Sequence, residues 1–251
     1  MVHFVGAGCG AADLITLRGK ALLETADVIL YAGSLVNPKL LAYAKRGCEL
    51  YDSAKMTLEE IIAVIQRAES LKRTTVRLHS GDPSLYGAIC EQMRALDALG
   101  IGYDICPGVS ALCGAAAALR AEYTPPGVSQ TVLITRAAGK TPVPERENIR
   151  SLAAHGAAMV LFLSAGLLSE VSRELIAGGY APDTPAAIVY KATWADEKIC
   201  RCTVSALEAA AKENQITKTA LILVGNFLRG TDQRSKLYDP AFTTGFREAS
   251  V

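Results

Sequence analysis

Three short glycine-containing turns are the segments of this sequence best suited to hold a ligand. Residues 6–10 are Gly-Ala-Gly-Cys-Gly, residues 79–87 are His-Ser-Gly-Asp-Pro-Ser-Leu-Tyr-Gly, and residues 107–111 are Pro-Gly-Val-Ser-Ala. Each follows a short run with strand character, where glycine allows a sharp turn and a close approach of the backbone to a ligand. Because parallel strands present their ligand loops at their carboxyl ends, we expect the three turns to lie along one edge of one sheet.

The first turn matches a dinucleotide-binding motif only in part. After Gly6 and Gly8, the third glycine of Gly-x-Gly-x-x-Gly would fall on Ala11, and the second predicted strand ends without the acidic residue that binds a ribose. A nicotinamide-dependent oxidoreductase is therefore an alternative from a different functional class. A plain strand-to-helix turn also accounts for this segment, just as helix capping by Asp82 or Ser110 accounts for the other two.

The remaining reactive side chains indicate neither a metal site nor nucleophilic catalysis. Seven cysteines are scattered through the chain, only Cys200 and Cys202 lie close together, and the three histidines stand alone. These spacings do not match a zinc site, and the sequence contains no Gly-x-Ser-x-Gly motif. For a step that needs a general base, the candidates are His79, Asp82, Glu197 and water, and the sequence selects none of them.

Composition and charge exclude several classes of partner. The 251 residues contain 26 Lys and Arg against 25 Asp and Glu, so no broad charge would hold a nucleic acid or an anionic membrane surface. Half of the residues are apolar, yet no uninterrupted apolar run is long enough to cross a membrane. The sequence opens on a strand-like segment without a basic and apolar leader, and we expect a cytoplasmic protein with reduced cysteines.

The order of the predicted elements favours two α/β domains. In the first half, strands are predicted at residues 2–5, 28–31, 49–51, 75–79 and 103–106, and helices at 17–26, 38–44, 57–71, 85–99 and 110–119. In the second half, strands are predicted at 131–135, 159–163, 186–190, 198–203 and 221–224, and helices at 145–154, 167–177 and 205–214. We predict a first domain over residues 1–120, a linker over 121–129 and a second domain over 130–251. The predicted fold class is α/β, with mixed, mostly parallel sheets and a ligand cleft between the two domains.

Several motifs in register carry a resemblance to a known family. They lie at residues 5–10, 14–19, 26–28, 81–87 and 107–111, and further at 30–36, 127–136, 139–145 and 193–198. Together they resemble the tetrapyrrole (corrin and porphyrin) methyltransferases over roughly residues 2–228, and the second group resembles the branch that methylates precorrin-4 at C11. The resemblance implies a homodimer that uses S-adenosylmethionine to convert precorrin-4 to precorrin-5 in cobalamin biosynthesis and releases S-adenosylhomocysteine.

The resemblance also implies cofactor contacts at particular positions of this chain. They are Cys9, Ser80, Gly81, Asp82, Leu85, Ser110, Ala111, Leu163, Ala192 and Ala220. Cys9 stands where many members of the family carry proline, and Leu163 where many carry methionine. Ala32 stands where the uroporphyrinogen methylases carry an acidic residue proposed as a base. That difference argues against uroporphyrinogen as the substrate and leaves the catalytic residue unassigned.

A tetrapyrrole substrate carries many carboxylates, which Arg and Lys recognise through charge-assisted hydrogen bonds. Arg136 is the first candidate for this role, followed by Lys140, Lys191 and Arg77. Trp194 could stack on the macrocycle or anchor a core or an interface. Two alternatives keep the same cleft: a cobalt-containing precorrin-4 as the substrate, and a tetrapyrrole carrier without transferase activity.

Overall fold

The structure is a computed structural model, and it describes residues 1–250. The chain divides into two compact units. The first unit comprises Met1–Ala115 together with Lys191–Glu197, and the second comprises Ala116–Tyr190 and the chain from Lys198 onwards. The predicted domains are continuous in sequence, whereas the first unit includes a short segment from the second half of the chain.

The first unit is built on a five-stranded parallel sheet. Its strands are β1 (Val2–Gly6), β2 (Val28–Tyr31), β3 (Glu49–Asp52), β4 (Thr75–His79) and β5 (Tyr103–Cys106), in the order β3-β2-β4-β1-β5. Each strand agrees with its predicted position to within one residue. Because β4, β1 and β5 are neighbours and run in the same direction, the turns that follow them emerge side by side.

Helices cover both faces of this sheet. Helix α1 (Leu17–Thr25) and the 3-10 helix Pro38–Tyr43 contribute to the apolar core on one face, and α2 (Leu58–Ser70) and α3 (Ile89–Ala98) contribute to the core on the other. Helix α2 begins with a capping box between Thr57 and Glu60, as the sequence predicts. Helix α4 (Ala111–Leu119) follows the turn after β5.

The helix predicted over residues 85–99 begins only at Ile89. Tyr86 and Ala88 have left-handed backbone, with φ of 56° and 49°. A right-handed helix cannot run through such residues, so the turn after β4 stays irregular until residue 89. The turn after β4 is therefore longer than the sequence predicts.

The second unit contains a mixed five-stranded sheet. Its strands are β6 (Val132–Arg136), β7 (Ala158–Phe162), β8 (Pro185–Tyr190), β9 (Lys198–Thr203) and β10 (Ala220–Val224), in the order β6-β7-β10-β8-β9. Only β6 and β7 are parallel neighbours. Over both sheets of the described chain, five strand pairs are parallel and three are antiparallel, which confirms a mixed and mostly parallel α/β fold.

Three helices pack on one core of the second unit: α5 (Ile149–Ala153), α6 (Leu168–Ala177) and α7 (Leu207–Glu213). The helix predicted over 145–154 is divided at Asn148, whose backbone is extended and whose side chain caps α5 by accepting from the Ser151 amide. The strand predicted over 159–163 ends at Phe162, because Leu163 has a φ of 54°. Helix α7 begins two residues later than predicted, after the 3-10 turn Val204–Ala206.

Residues 1–250 contain no helix that is both long and apolar enough to span a membrane. The same residues contain no cluster of three or more His, Cys, Asp or Glu side chains suited to a metal ion. All seven cysteines are free thiols.

Candidate functional site

The three glycine turns meet through their backbones. The amide of Gly8 donates to the carbonyl of Gly81 at 3.2 Å, and the amide of Gly81 donates back to Gly8 at 2.9 Å. A Cβ atom built on Gly6 would lie 2.5 Å from Cα of Gly108 and 2.6 Å from the Gly81 carbonyl oxygen, closer than real Cβ contacts allow. The turns after β1, β4 and β5 therefore form one backbone-lined cradle, which we call the glycine cradle (residues 6–11, 80–88 and 107–111).

Most of the predicted cofactor residues of the first unit belong to this cradle. A Cβ atom on Gly81 would lie 3.4 Å from the Ala111 nitrogen and 3.5 Å from Cα of Ser110, an ordinary contact distance. Leu85 is one turn further along, where its amide donates to the Asp82 carbonyl at 3.2 Å. Together with Ser80 and Cys9, these residues share the carboxyl edge of the parallel sheet.

Asp82 ties two turns of the glycine cradle together. Its Oδ2 accepts from the Gly108 amide at 2.8 Å, and its Oδ1 accepts from the amide of Ser84 at 2.9 Å and from the Ser84 hydroxyl. Burial by itself raises the pKa of Asp82, but these hydrogen bonds outweigh it and hold the pKa below its ordinary value. A carboxylate that accepts hydrogen bonds at both oxygens and has a low pKa stabilises the turns and is poorly suited to remove a proton.

Arg77 and His79 lie inside the first unit and do not face the glycine cradle. Arg77 is 6% exposed, and it donates to Gln92 Oε1 at 3.0 Å and to the Leu30 carbonyl at 3.2 Å. Burial lowers its pKa to about 10. The expectation that Arg77 binds the macrocycle is therefore wrong, because its guanidinium is enclosed between β4 and α3.

His79 is 5% exposed, and its Nε2 finds no hydrogen-bond partner among residues 1–250. Burial, with a smaller contribution from the charge of Arg77, lowers the pKa of His79 to about 3. The ring is neutral at physiological pH and packs near Phe4, with 6.0 Å between ring centroids. A group enclosed in this way cannot reach a bound substrate, so we remove His79 from the candidate bases.

Cys9 belongs to the first turn, and its side chain contacts the segment Lys191–Glu197. It is 8% exposed, a Cβ atom on Gly114 of α4 would lie 3.0 Å from its Sγ, and the hydroxyl of Thr193 donates to the same Sγ at 3.8 Å. Burial raises the pKa of the Cys9 thiol, so the thiol is neutral at physiological pH. The absence of a side chain on Gly10 leaves room for Ala192 and Trp194 of the same segment.

Trp194 and Lys191 make their contacts within this segment and with the first turn. The Lys191 ammonium lies 5.0 Å from the centre of the Trp194 ring and pairs with Asp196 at 2.6 Å. Glu197 accepts the Thr193 amide at 2.6 Å. In these positions Trp194 and Glu197 stabilise the segment.

The predicted residues of the second unit also share one edge of their sheet. Ala220 begins β10 and Leu163 follows the end of β7, its antiparallel neighbour, so both residues lie at the same edge of the sheet. The parallel register pairs Arg136 with Phe162, one residue before Leu163. Leu163 is 67% exposed and has a left-handed backbone, a strained conformation of the kind that clusters at functional sites.

Arg136 binds its own loop. Its guanidinium donates to the carbonyls of Ala137 at 3.2 Å, Thr141 at 3.1 Å and Pro142 at 2.6 Å. Lys140 lies exposed in the same loop. These bonds order the segment that follows β6, and binding of substrate carboxylates by Arg136 stays a prediction.

Sequence reasoning missed two residues that order these edges. Thr193 reaches the first turn from a distant part of the chain, and Ser164, which is fully buried, accepts from the Ala137 amide at 2.8 Å and donates to the Phe162 carbonyl at 2.7 Å. Ser164 belongs to none of the motifs noted above, and the motif at 193–198 gives no sign that Thr193 contacts the first turn. For Thr193, Gly10 gave an indirect signal, because a glycine next to a tight turn indicates a close neighbour.

The composition of the glycine cradle favours a cationic or neutral polar ligand. Its three turns contain no Lys or Arg, and Asp82 is the acidic residue among them. The three turns therefore offer one ionised carboxylate to a sulfonium group and no basic side chain to a phosphate.

A family model for tetrapyrrole (corrin/porphyrin) methylases matches residues 1–208 of the chain. The chain belongs to this family. All three glycine turns of the tetrapyrrole methylase and the segment that contains Ala192 lie within the matched range.

Relatives of this tetrapyrrole methylase match it over nearly its whole length. It is 51% identical over 249 residues to a cobalt-precorrin-4 C(11)-methyltransferase of Methanocaldococcus jannaschii, covering 99% of this chain and 96% of the relative. It is 48% identical over 228 residues to a precorrin-4 C(11)-methyltransferase of Mycobacterium tuberculosis, covering 90% and 91%. The X-ray structure of a cobalt precorrin-4 methyltransferase superposes with a TM-score of 0.88 at 48% identity, over 90% of this chain and 95% of the other.

Proposed function

We propose that this chain transfers a methyl group from S-adenosylmethionine to C11 of precorrin-4, giving precorrin-5 and S-adenosylhomocysteine. The observation that carries the proposal is the match, at about half identity over nearly the full length, to relatives named for C11 methylation of precorrin-4 with or without cobalt. The glycine cradle supports it, because its composition suits a cationic methyl donor.

S-adenosylmethionine supplies an electrophilic methyl group on a positively charged sulfur. In the proposed complex, ten residues would contact this cofactor: Cys9, Ser80, Gly81, Asp82, Leu85, Ser110, Ala111, Leu163, Ala192 and Ala220. The backbone-to-backbone contacts of the glycine cradle leave little freedom to the atoms that bind. Orientation of two reactants can supply about 7–11 kcal/mol of a barrier, so a rigid cradle can account for most of the rate without a covalent intermediate.

The balance of charge fits this chemistry. When bound, S-adenosylmethionine would supply a methyl group whose transfer to the macrocycle carbon breaks the carbon–sulfur bond and leaves sulfur as a neutral thioether. The ionised Asp82 and the uncharged His79 place no positive side-chain charge beside a cationic methyl donor, which favours its binding. We propose that solvent or a substrate group accepts any proton that is lost, since the candidate carboxylates of this edge are already engaged in hydrogen bonds.

A cobalt-containing precorrin-4 is a second candidate substrate. It is favoured by the Methanocaldococcus jannaschii relative, whose name includes cobalt and which matches 99% of this chain. Equal amounts of enzyme, offered each macrocycle in turn with S-adenosylmethionine, will rank the two substrates by kcat/KM.

Cofactor binding is the first test. We expect S-adenosylhomocysteine to bind once per chain in a calorimetric titration and NADH not to bind. In Gly81→Arg, a long side chain starts at a position with a φ of 62° next to Ser110 and Ala111, and we expect binding to be lost. Binding of NADH without S-adenosylhomocysteine would refute the methyltransferase proposal, whereas a bound macrocycle that is never methylated would identify a carrier.

The proposal includes a homodimer in the cytoplasm. Size-exclusion chromatography with light scattering will measure the mass in solution. A monomer that methylates precorrin-4 at full rate would refute the dimer and leave the activity standing.

A further inference from the structure

Thr193 has an unusual backbone conformation for its residue type. Its φ is 67°, in the left-handed region that β-branched residues avoid, and Lys191 two residues earlier has a φ of 45°. The Thr193 amide donates to Glu197 Oε2 at 2.6 Å, and the Trp194 amide donates to the Lys191 carbonyl at 3.0 Å. The segment thus holds Thr193 in a strained conformation, a feature that accumulates at functional sites.

The side chain of Thr193 completes the hydrogen bonding of the first glycine turn. Its Oγ1 accepts from the Ala11 amide at 2.9 Å and donates to Cys9 Sγ at 3.8 Å. On the other side of the turn, Asn37 Nδ2 donates to the Gly10 carbonyl at 2.9 Å. Residues 9–11 are therefore held between two side chains, one of which comes from the distant segment.

We propose that Thr193 is a positioning residue for cofactor binding, which acts by fixing the Ala11 amide and with it the Cys9 end of the glycine cradle. This inference rests on the proposed S-adenosylmethionine site. Without the Thr193 hydroxyl, the Ala11 amide loses its acceptor in a half-buried position, and the turn relaxes away from the conformation that binds the cofactor.

The test compares three substitutions for their affinity toward S-adenosylhomocysteine. Thr193→Val keeps the shape and removes the hydroxyl, and we expect binding to weaken about tenfold, the loss typical of an orphaned backbone donor. Thr193→Ser keeps the hydroxyl and should bind within about twofold of the wild type. In steady-state assays, the loss in Thr193→Val should appear in the KM for S-adenosylmethionine rather than in kcat.

A double-mutant cycle tests the partner of the hydroxyl. Ala11 has a φ of −63°, which proline can adopt, so Ala11→Pro removes the donor itself. If Thr193 acts through this amide, Thr193→Val should change affinity by less than about twofold in the Ala11→Pro background. A full tenfold loss of affinity on Thr193→Val in the Ala11→Pro background would show that Thr193 does not act through the Ala11 amide.

The outcomes separate this inference from the function on which it rests. A wild type that does not bind S-adenosylhomocysteine would overturn both. A wild type that binds, together with a Thr193→Val variant that binds equally well, would overturn this inference alone. If Ala11→Pro does not fold, hydrogen exchange decides instead, because the Ala11 amide should exchange faster in Thr193→Val than in Thr193→Ser.

Discussion

In the first unit, the predicted cofactor residues are presented by turns whose backbones touch one another, and this close approach depends on the lack of side chains at Gly6 and Gly108. In the second unit, the predicted residues lie at strand ends, and Leu163 keeps its side chain although its backbone is left-handed. Addition of a Cβ atom at Gly6 or Gly108 would bring backbone atoms into collision, whereas removal of the Cβ atom of Leu163 would relieve a left-handed conformation. Substitutions that add or remove a Cβ atom should therefore have opposite effects in the two units.

Gly108→Ala should have the largest effect. A Cβ atom there would lie 2.7 Å from Cα of Gly6 and would collide with the Gly81 carbonyl, and both of these are backbone atoms that cannot turn aside. We expect a loss of about 3 kcal/mol in the free energy of unfolding, together with loss of S-adenosylhomocysteine binding. Urea denaturation and calorimetry will measure the two effects.

The matched control is Gly102→Ala, just before β5, where the nearest atom to a new Cβ is Met1 Sδ at 3.9 Å. This variant should stay within about 0.5 kcal/mol of the wild type. Equal stability of the two variants would refute the idea that backbone contact shapes the first edge.

His79 should make the first unit more sensitive to acid than the second. Its pKa is held at about 3 in the folded protein, against 6.5 for an ordinary histidine, so the unfolded chain binds a proton first as the pH falls below 6.5. Folding stability is therefore complete above that pH and decreases below it, by about 2 kcal/mol at pH 5. Urea denaturation at pH 7.5 and 5 will measure the loss, and hydrogen exchange will assign it to a unit.

In His79→Phe the difference in stability between pH 7.5 and 5 should shrink, because the variant has no imidazole at this position to bind a proton in the unfolded chain. An unchanged pH dependence in His79→Phe would show that the buried ring is not the acid-sensitive group.

Substitution at Leu163 should change the free energy of unfolding least. Here removal of a Cβ atom should be stabilising, whereas addition of one at Gly108 should be destabilising. Glycine accepts a φ of 54° without strain, whereas alanine retains the Cβ that makes this conformation costly. Leu163→Gly should therefore be about 1 kcal/mol more stable than Leu163→Ala by thermal or urea denaturation. Both variants should bind S-adenosylhomocysteine equally weakly if the leucine side chain contacts the cofactor. Leu163→Ala as stable as Leu163→Gly would mean that the position is not strained.

Local sequence patterns predicted the positions of helices and strands well, and predicted less well which side chains are buried. The capping box at Thr57 and the parallel direction of strands β1 to β5 follow from short-range signals, and both are observed. The late start of α3 depends on left-handed residues that carry no sequence signature. Arg77 and His79 alternate with apolar residues on β4, a pattern typical of an exposed face, whereas helices α2 and α3 cover that face.

The candidate site was predictable where it consists of consecutive residues. Glycines next to strand ends identified the turns, and the resemblance supplied the positions expected to contact the cofactor. The contribution of Thr193 was not predictable, since no local pattern relates residue 193 to residue 11. The hydrogen bonds of Asp82 likewise depend on the spacing of β4 and β5, which only the assembled sheet determines.

Because Lys191–Glu197 belongs to the first unit, the first glycine turn is completed late in synthesis of the chain. The hydrogen bond between Ala11 and Thr193 joins residues 182 positions apart, so the first turn acquires its last partner only after most of the chain has been synthesised. Contacts this distant in sequence form slowly, and a growing chain that has passed Ala115 carries an N-terminal sheet whose ligand edge is still unfinished. Completion of the binding edge thus depends on synthesis of the β8–β9 hairpin, and a nascent chain shorter than about 200 residues is expected to fold in part before it can hold its cofactor.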